Sequence, residues 1–238
     1  MNSKNCLIAT YFIATVISSV AADISGKVTL KGTPPKEIVV QLDPLCGKLH
    51  SADSKVTTRH FVVGQNGELA DVFVYLKSEG LSNAPKPTGQ TAILDQKSCL
   101  YNPYILGLQT GQTLVVKNSD PVLHNVHPSP VVDGNKEQNK AQLPKGPDLK
   151  FIFEMEEVLL KFKCDIHPWM FAYVGVLSHP YYSVTDKSGA YTIKNVPPGK
   201  YTLIALHRKS GKPLSQAITL GENGLAANFT IDAPEPLK

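Results

Sequence analysis

Apolar and polar residues alternate in short runs along most of this chain, and Gly, Pro and Asn break the runs. A period of two with frequent turn residues predicts strands, not helices. Residues 24–30 alternate and stop at Gly32-Thr33-Pro34-Pro35. Residues 38–42 read as a second strand leading to Cys46, and 61–63, the turn Gln65-Asn66-Gly67 and 71–76 read as a hairpin. Further strands are expected at 92–95, 104–108, 113–118, 150–154, 157–163 and 171–177. Strand–turn–strand units follow at 184–193 and 195–206, with closing strands at 215–220 and 225–231. Residues 128–150, rich in Pro, Gly, Lys and Asn, are expected to form a long loop of the kind that is functional or mobile. No long helical period occurs, so the fold class is all-β.

The N-terminus follows another pattern. A short basic start ends at Lys4, residues 7–20 are apolar, and Ala21-Ala22 precede Asp23. This is the layout of a secretory signal peptide cleaved after Ala22, with an apolar segment short for a membrane span. No later run is apolar enough to cross a bilayer, so the mature chain is expected to be periplasmic or otherwise exported. The formal net charge of the full chain is +4, and losing Lys4 with the leader lowers it by one. So small an excess does not point to nucleic acid, and an exported address points away from it.

Export makes the cysteines informative. Beyond the leader remain Cys46, Cys99 and Cys164, an odd number in an oxidising compartment. The economical reading pairs Cys46 with Cys99 and leaves Cys164 as a metal-bound thiolate. Cys164 opens the run Cys164-Asp165-Ile166-His167-Pro168-Trp169-Met170, which sets a thiol, an imidazole and a thioether at Cys-x2-His-x2-Met. Upstream, Asp120-Pro121-Val122-Leu123-His124-Asn125 offers a second imidazole. Thiolate, two imidazoles and a weak thioether are the donor set that selects copper in a trigonal His2Cys site with a long axial Met. His127 is a possible extra ligand, for a second metal or an altered copper geometry. His179 stands near a domain junction, whereas His50, His60 and His207 lack ligand spacing.

These residues carry two resemblances. The segment from about 94 to 177 resembles a cupredoxin: the cysteine loop has the spacing of amicyanin, and Asn118 followed by His124-Asn125 is similar to the first-histidine motif of plastocyanin-like proteins. Thr185-Asp186-Lys187-Ser188-Gly189-Ala190-Tyr191, Pro197-Pro198-Gly199-Lys200-Tyr201-Thr202-Leu203 and Ile24-Ser25-Gly26-Lys27-Val28 resemble the hairpins and opening strand of a carboxypeptidase regulatory-like, or transthyretin-like, sandwich. The layout implied is a leader (1–22), a cupredoxin Greek-key β-sandwich (88–178), and a second β-sandwich built from 23–87 and 179–238, into which the first is inserted or by which it is flanked. It resembles exported bacterial proteins called methylamine-utilisation or plastocyanin-like.

The resemblance implies one copper per chain, held by His124, Cys164, His167 and Met170. Asn125 is expected to bond across to the cysteine loop behind the metal, and Trp169 to line a dry shell or a docking patch. The function implied is electron transfer with an unidentified redox partner protein, and no enzyme activity. Two alternatives stay open: a copper-binding protein that stores, delivers or senses the metal, and a metal-free β-sandwich that binds carbohydrate or the cell surface.

Overall fold

The structure, a computed structural model, describes residues 20–77 and 79–234. Most of the expected leader lies outside the described residues, although Ala22 already begins the first strand. Along the chain run β1 (Ala22–Lys31), helix α1 (Pro44–Gly47), β2 (Val72–Leu76), β3 (Ala92–Lys97), β4 (Leu100–Asn102), β5 (Ile105–Gln109) and β6 (Leu114–Asn118). Next come β7 (His124–Ser129), β8 (Lys140–Gln142), β9 (Leu149–Phe151), β10 (Glu157–Lys163), β11 (Phe171–Leu177) and β12 (Tyr182–Val184). The chain closes with β13 (Ala190–Val196), β14 (Gly199–His207), β15 (Leu214–Leu220), β16 (Leu225–Ala226) and β17 (Phe229–Asp232). The all-β expectation holds. Among the described residues no helix is long and apolar enough to cross a membrane.

Four sheets make two sandwiches. In the first, the sheet β13-β1-β16, with β17 also on β1, faces the sheet β12-β2-β14-β15. Ile24, Val28, Ile193 and Phe229 from one sheet meet Val72, Val74, Leu203 and Ala205 from the other in a common core. In the second, β5-β11-β10-β7-β8 faces β4-β3-β6-β9. Leu94, Leu114, Val116 and Phe151 pack there against Val126, Phe162, Val174 and Val176. Cys46 on α1 belongs to this second core, with Leu42 and Leu49 packed against it.

The sandwiches meet through strands buried on both faces. The run Val72-Phe73-Val74-Tyr75-Leu76 has no polar side because its alternate residues serve different cores. Val72, Val74 and Leu76 fill the first, while Phe73 and Tyr75 join Tyr104, Ile105, Phe171, Tyr173, Leu177 and Tyr182 in a cluster between the two. Two glycines make this contact possible. Gly107 of β5 and Gly175 of β11 lie opposite each other in the ladder. A Cβ on Gly107 would fall 2.1 Å from the Tyr182 ring, and one on Gly175 2.2 Å from the Phe73 ring. Phe73 and Tyr182 stack on each other, centroids 5.5 Å apart, against the flat patch the glycines leave.

Three expectations need correction. Residues 38–42 form no strand; they make one isolated bridge, Val39 to Thr57, and leave Ile38 and Val39 exposed. Residues 61–63 do not form a hairpin with β2, whose partners are β12 and β14, so only the bridge Val63 to Leu69 remains. The stretch 128–150 is not one loop: it holds β8, which pairs with β7, and the start of β9. In each case the partner strand is distant or short, and local alternation carries no information about it.

Gly107→Ala and Gly175→Ala are each expected to destabilise the chain by about 3 kcal/mol, since backbone and ring would have to part. Gly47→Ala is the control, because nothing lies within 4 Å of its added Cβ. Calorimetric unfolding of the three variants reads the difference, and equal stability would remove the glycine patch as the basis of docking.

Candidate metal centre

The cysteine loop is tied at its base. Cys164 follows β10 and Met170 precedes β11; the Cys164 N–H donates to Met170 O (3.1 Å) and the Met170 N–H to His167 O (2.8 Å). Neighbouring antiparallel strands therefore hold both ends of the loop. His124 opens β7, and Asn118 at the end of β6 shapes the turn that delivers it. The Asn118 amide donates to the carbonyls of Val122, Gln142 and Leu143, and its oxygen accepts the Asp120 N–H.

The folded chain brings three of the expected ligands together. One ligating atom each from His124, Cys164 and His167 lie within 4.8 Å of one another, all buried. The two Nδ1 atoms of the histidines are 2.9 Å apart, and Cys164 Sγ is 3.6 Å from His167 Nδ1. Met170 is buried in the same apolar core as Cys164. The Asn125 N–H points at Cys164 Sγ (3.4 Å). The Asn125 side chain bonds across to the cysteine loop: its oxygen accepts the Asp165 N–H, and its amide donates to Asp165 Oδ2.

Two carboxylates unforeseen in the sequence hold the histidines from behind. Asp120 Oδ2 lies 3.0 Å from His124 Nε2, and Asp43 Oδ2 lies 3.3 Å from His167 Nε2. An ionised carboxylate only accepts, so the Asp120 contact places the proton of His124 on Nε2 and leaves its Nδ1 lone pair on the side of Cys164. Two imidazole Nδ1 atoms 2.9 Å apart beside a thiol suit a shared cation, and the donor types suit copper.

The same carboxylates hold the disulfide. Cys46 and Cys99 are bonded to each other, with Cα atoms 5.7 Å apart, as the cysteine count led one to expect. Asp120 accepts the N–H groups of Ser98 (2.6 Å) and Cys99 (2.7 Å). These two residues form the two-residue turn between β3 and β4, both at positive φ (55° and 51°), where glycine or asparagine is usual. Asp43 caps α1, accepting the N–H groups of Leu45 and Cys46. Each aspartate thus ties one half of the disulfide to one histidine. Sequence offers only the cap pattern Asp43-Pro44 as a signal; Asp120 has none.

Charge follows the geometry. Hydrogen bonds from the Cys46 N–H and Leu45 N–H hold the Asp43 carboxyl below its usual range. Burial pushes Asp120 up, but His124 and the two turn N–H groups outweigh it and the net direction is down. Burial likewise opposes ionisation of Cys164, yet the His124 ring and the N–H groups around the sulfur bring its thiol below the ordinary value.

The remaining expected residues lie nearby but apart. His127 sits between Asp165 (2.6 Å from Nδ1) and Glu137 (2.6 Å from Nε2), both ring nitrogens engaged away from the cluster. Trp169 is half-buried, its ring 5.2 Å from that of His167 and its Nε1–H donated to Cys99 O (3.1 Å). His179 is fully buried and stacked on Tyr181, away from the three donors.

No family model matches this chain, and no curated protein does. Solved structures do. A novel purple cupredoxin from Nitrosopumilus maritimus is 29% identical over 36% of this chain and 98% of its own, with a TM-score of 0.30. A copper(I) form of an amicyanin mutant is 18% identical over 43% of this chain and 97% of its own, TM-score 0.33. A copper-containing nitrite reductase from Thermus scotoductus is 17% identical over 58% of this chain but 27% of its own, TM-score 0.33.

Asp120→Ala strips the turn N–H groups and His124 of their acceptor. Unfolding in denaturant is expected to show a loss of about 3 kcal/mol, the cost of unpaired buried donors. A loss below about 0.5 kcal/mol would mean that this carboxylate does not brace the turn.

Proposed function

We propose that the chain is an exported mononuclear copper protein that carries electrons. His124, Cys164 and His167 would hold the copper, with Met170 as a further, weaker donor. The observation that carries this reading is the convergence of a thiol and two imidazole nitrogens, all buried, from two loops far apart in sequence. The ligand spacing of the cysteine loop, its resemblance to cupredoxins and the leader-like residues 1–22 support it.

Copper bound here would supply a one-electron couple, Cu(I)/Cu(II). The protein's part is to keep the donors in one arrangement through both states. The Asp120–His124 and Asp43–His167 contacts fix the two rings, and the Asn125 N–H steadies the sulfur. Phe162, on β10 just before the cysteine, and the half-buried Trp169 exclude water from the donors. Constraint and dryness, not acid–base chemistry, are what such a site contributes, which favours a carrier over an enzyme. The partner is a redox protein. The first sandwich, with its regulatory-like hairpins, is a scaffold docked through Phe73 and Tyr182.

Titration of the metal-free protein with copper(II) is expected to give an intense visible colour that saturates at one copper per chain. Cys164→Ser should abolish the colour, and His127→Ala should leave it unchanged. A wild-type protein that stays colourless would contradict the reading and favour a metal-free sandwich; a colour lost in His127→Ala would move the site toward Asp165.

A further inference from the structure

The disulfide is more than a brace, because its sulfurs adjoin the metal centre. The ligating atoms of Cys46, Cys99 and His167 form a second buried group within 4.8 Å of one another, and Cys99 also lies within that distance of ligating atoms of Asp120 and His124. His167 is therefore common to two sets of soft donors: one contains the free thiol of Cys164, and the other contains two sulfurs at present bonded to each other.

We propose that opening the Cys46–Cys99 disulfide creates a second copper(I) site, made of the two thiols beside His167. Two thiolates in a dry pocket are the donors that copper(I) prefers. The step is thiol–disulfide exchange with an external dithiol. A thiolate of the reductant attacks one sulfur, a mixed disulfide forms, and the second thiol of the reductant releases the chain. The reductant ends as a disulfide, and its two electrons and two protons leave Cys46 and Cys99 as thiols. Copper(I) then displaces both thiol protons as the sulfurs ligate.

The cysteines do not depend on their mutual bond for position. Cys46 rides on α1, whose start is capped by Asp43 and whose end is closed by Gly47 N–H to Asp43 O and Leu49 N–H to Cys46 O. Cys99 is fixed by its N–H to Asp120 and by Trp169 Nε1–H to its carbonyl. Opened thiols would stay facing each other next to the imidazole. The cover over them is thin: α1 is one turn long, and its Pro44, Leu45 and Gly47 are exposed, as is Lys48 just after it. The disulfide would then act as a gate, with the copper capacity of the chain set by the thiol balance of its surroundings. This goes beyond the electron-carrier reading and makes no use of Cys164.

The test uses the full chain carrying Cys164→Ser, so that copper(I) retained reports the second site alone. Metal-free protein is titrated anaerobically with copper(I) against bicinchoninate, before and after reduction by a phosphine that is then removed. With the disulfide closed the variant is expected to retain no copper(I). With it open it should retain one per chain, and that copper should shield both new thiols from alkylation. Adding Cys46→Ser and Cys99→Ser should abolish the gain. Equal retention before and after reduction would overturn the proposal, as would loss of the near-ultraviolet dichroism of the fold on reduction. Failure of the electron-carrier reading shows separately, as a colourless wild-type protein with copper(II).

Discussion

The organisation of the centre depends on two carboxylates that each do two things. Asp120 accepts the N–H groups of a strained two-residue turn and the outer nitrogen of His124. Asp43 accepts the N–H groups that start α1 and faces the outer nitrogen of His167. Turn and helix carry the two halves of one disulfide. A covalent bond thereby links the supports of both imidazoles, although the histidines come from separate loops. Orienting a ligand through the atom behind it is how proteins tune metal sites, and here the orienting groups are themselves tied together.

The centre also needs the sheets beneath it. β10 and β11 pin the two ends of the cysteine loop, while β6 and β7 pin the turn before His124. β11 serves a second purpose on its other face, where Gly175 beside Gly107 admits the aromatic rings of the neighbouring sandwich. A disturbance at the contact between sandwiches would therefore reach the cysteine loop through one seven-residue strand. Rigid elements hold ligand geometry more tightly than loops alone, and this strand is the element shared by both features.

The cysteine loop was legible in the sequence as a cluster of donors because a thiol, an imidazole and a thioether lie within seven residues. The pairing of Cys46 with Cys99 followed from an odd count once Cys164 had a use. Asp43 and Asp120 were not legible: their partners lie far along the chain, and a carboxylate beside a proline is an ordinary loop feature. The doubly buried strands were visible as apolar runs, but not what they faced: Gly107 and Gly175 fall inside the expected strands 104–108 and 171–177, and the alternation does not mark them as the patch that receives the Tyr182 and Phe73 rings. The residues at 38–42 have strand-like alternation, yet Ile38 and Val39 remain exposed, and the following residues 42–49 dock onto the second core instead of extending a sheet. His127 had the spacing of a ligand, and only the placement of Asp165 and Glu137 around it reveals another occupation.

The most direct measurement is X-ray absorption at the copper edge on the full chain loaded with one copper. Two imidazole nitrogens and one thiolate sulfur in the inner coordination shell are predicted, with the sulfur contribution absent in Cys164→Ser. A shell of nitrogen and oxygen alone, unchanged by that substitution, would contradict the placement of copper among His124, Cys164 and His167.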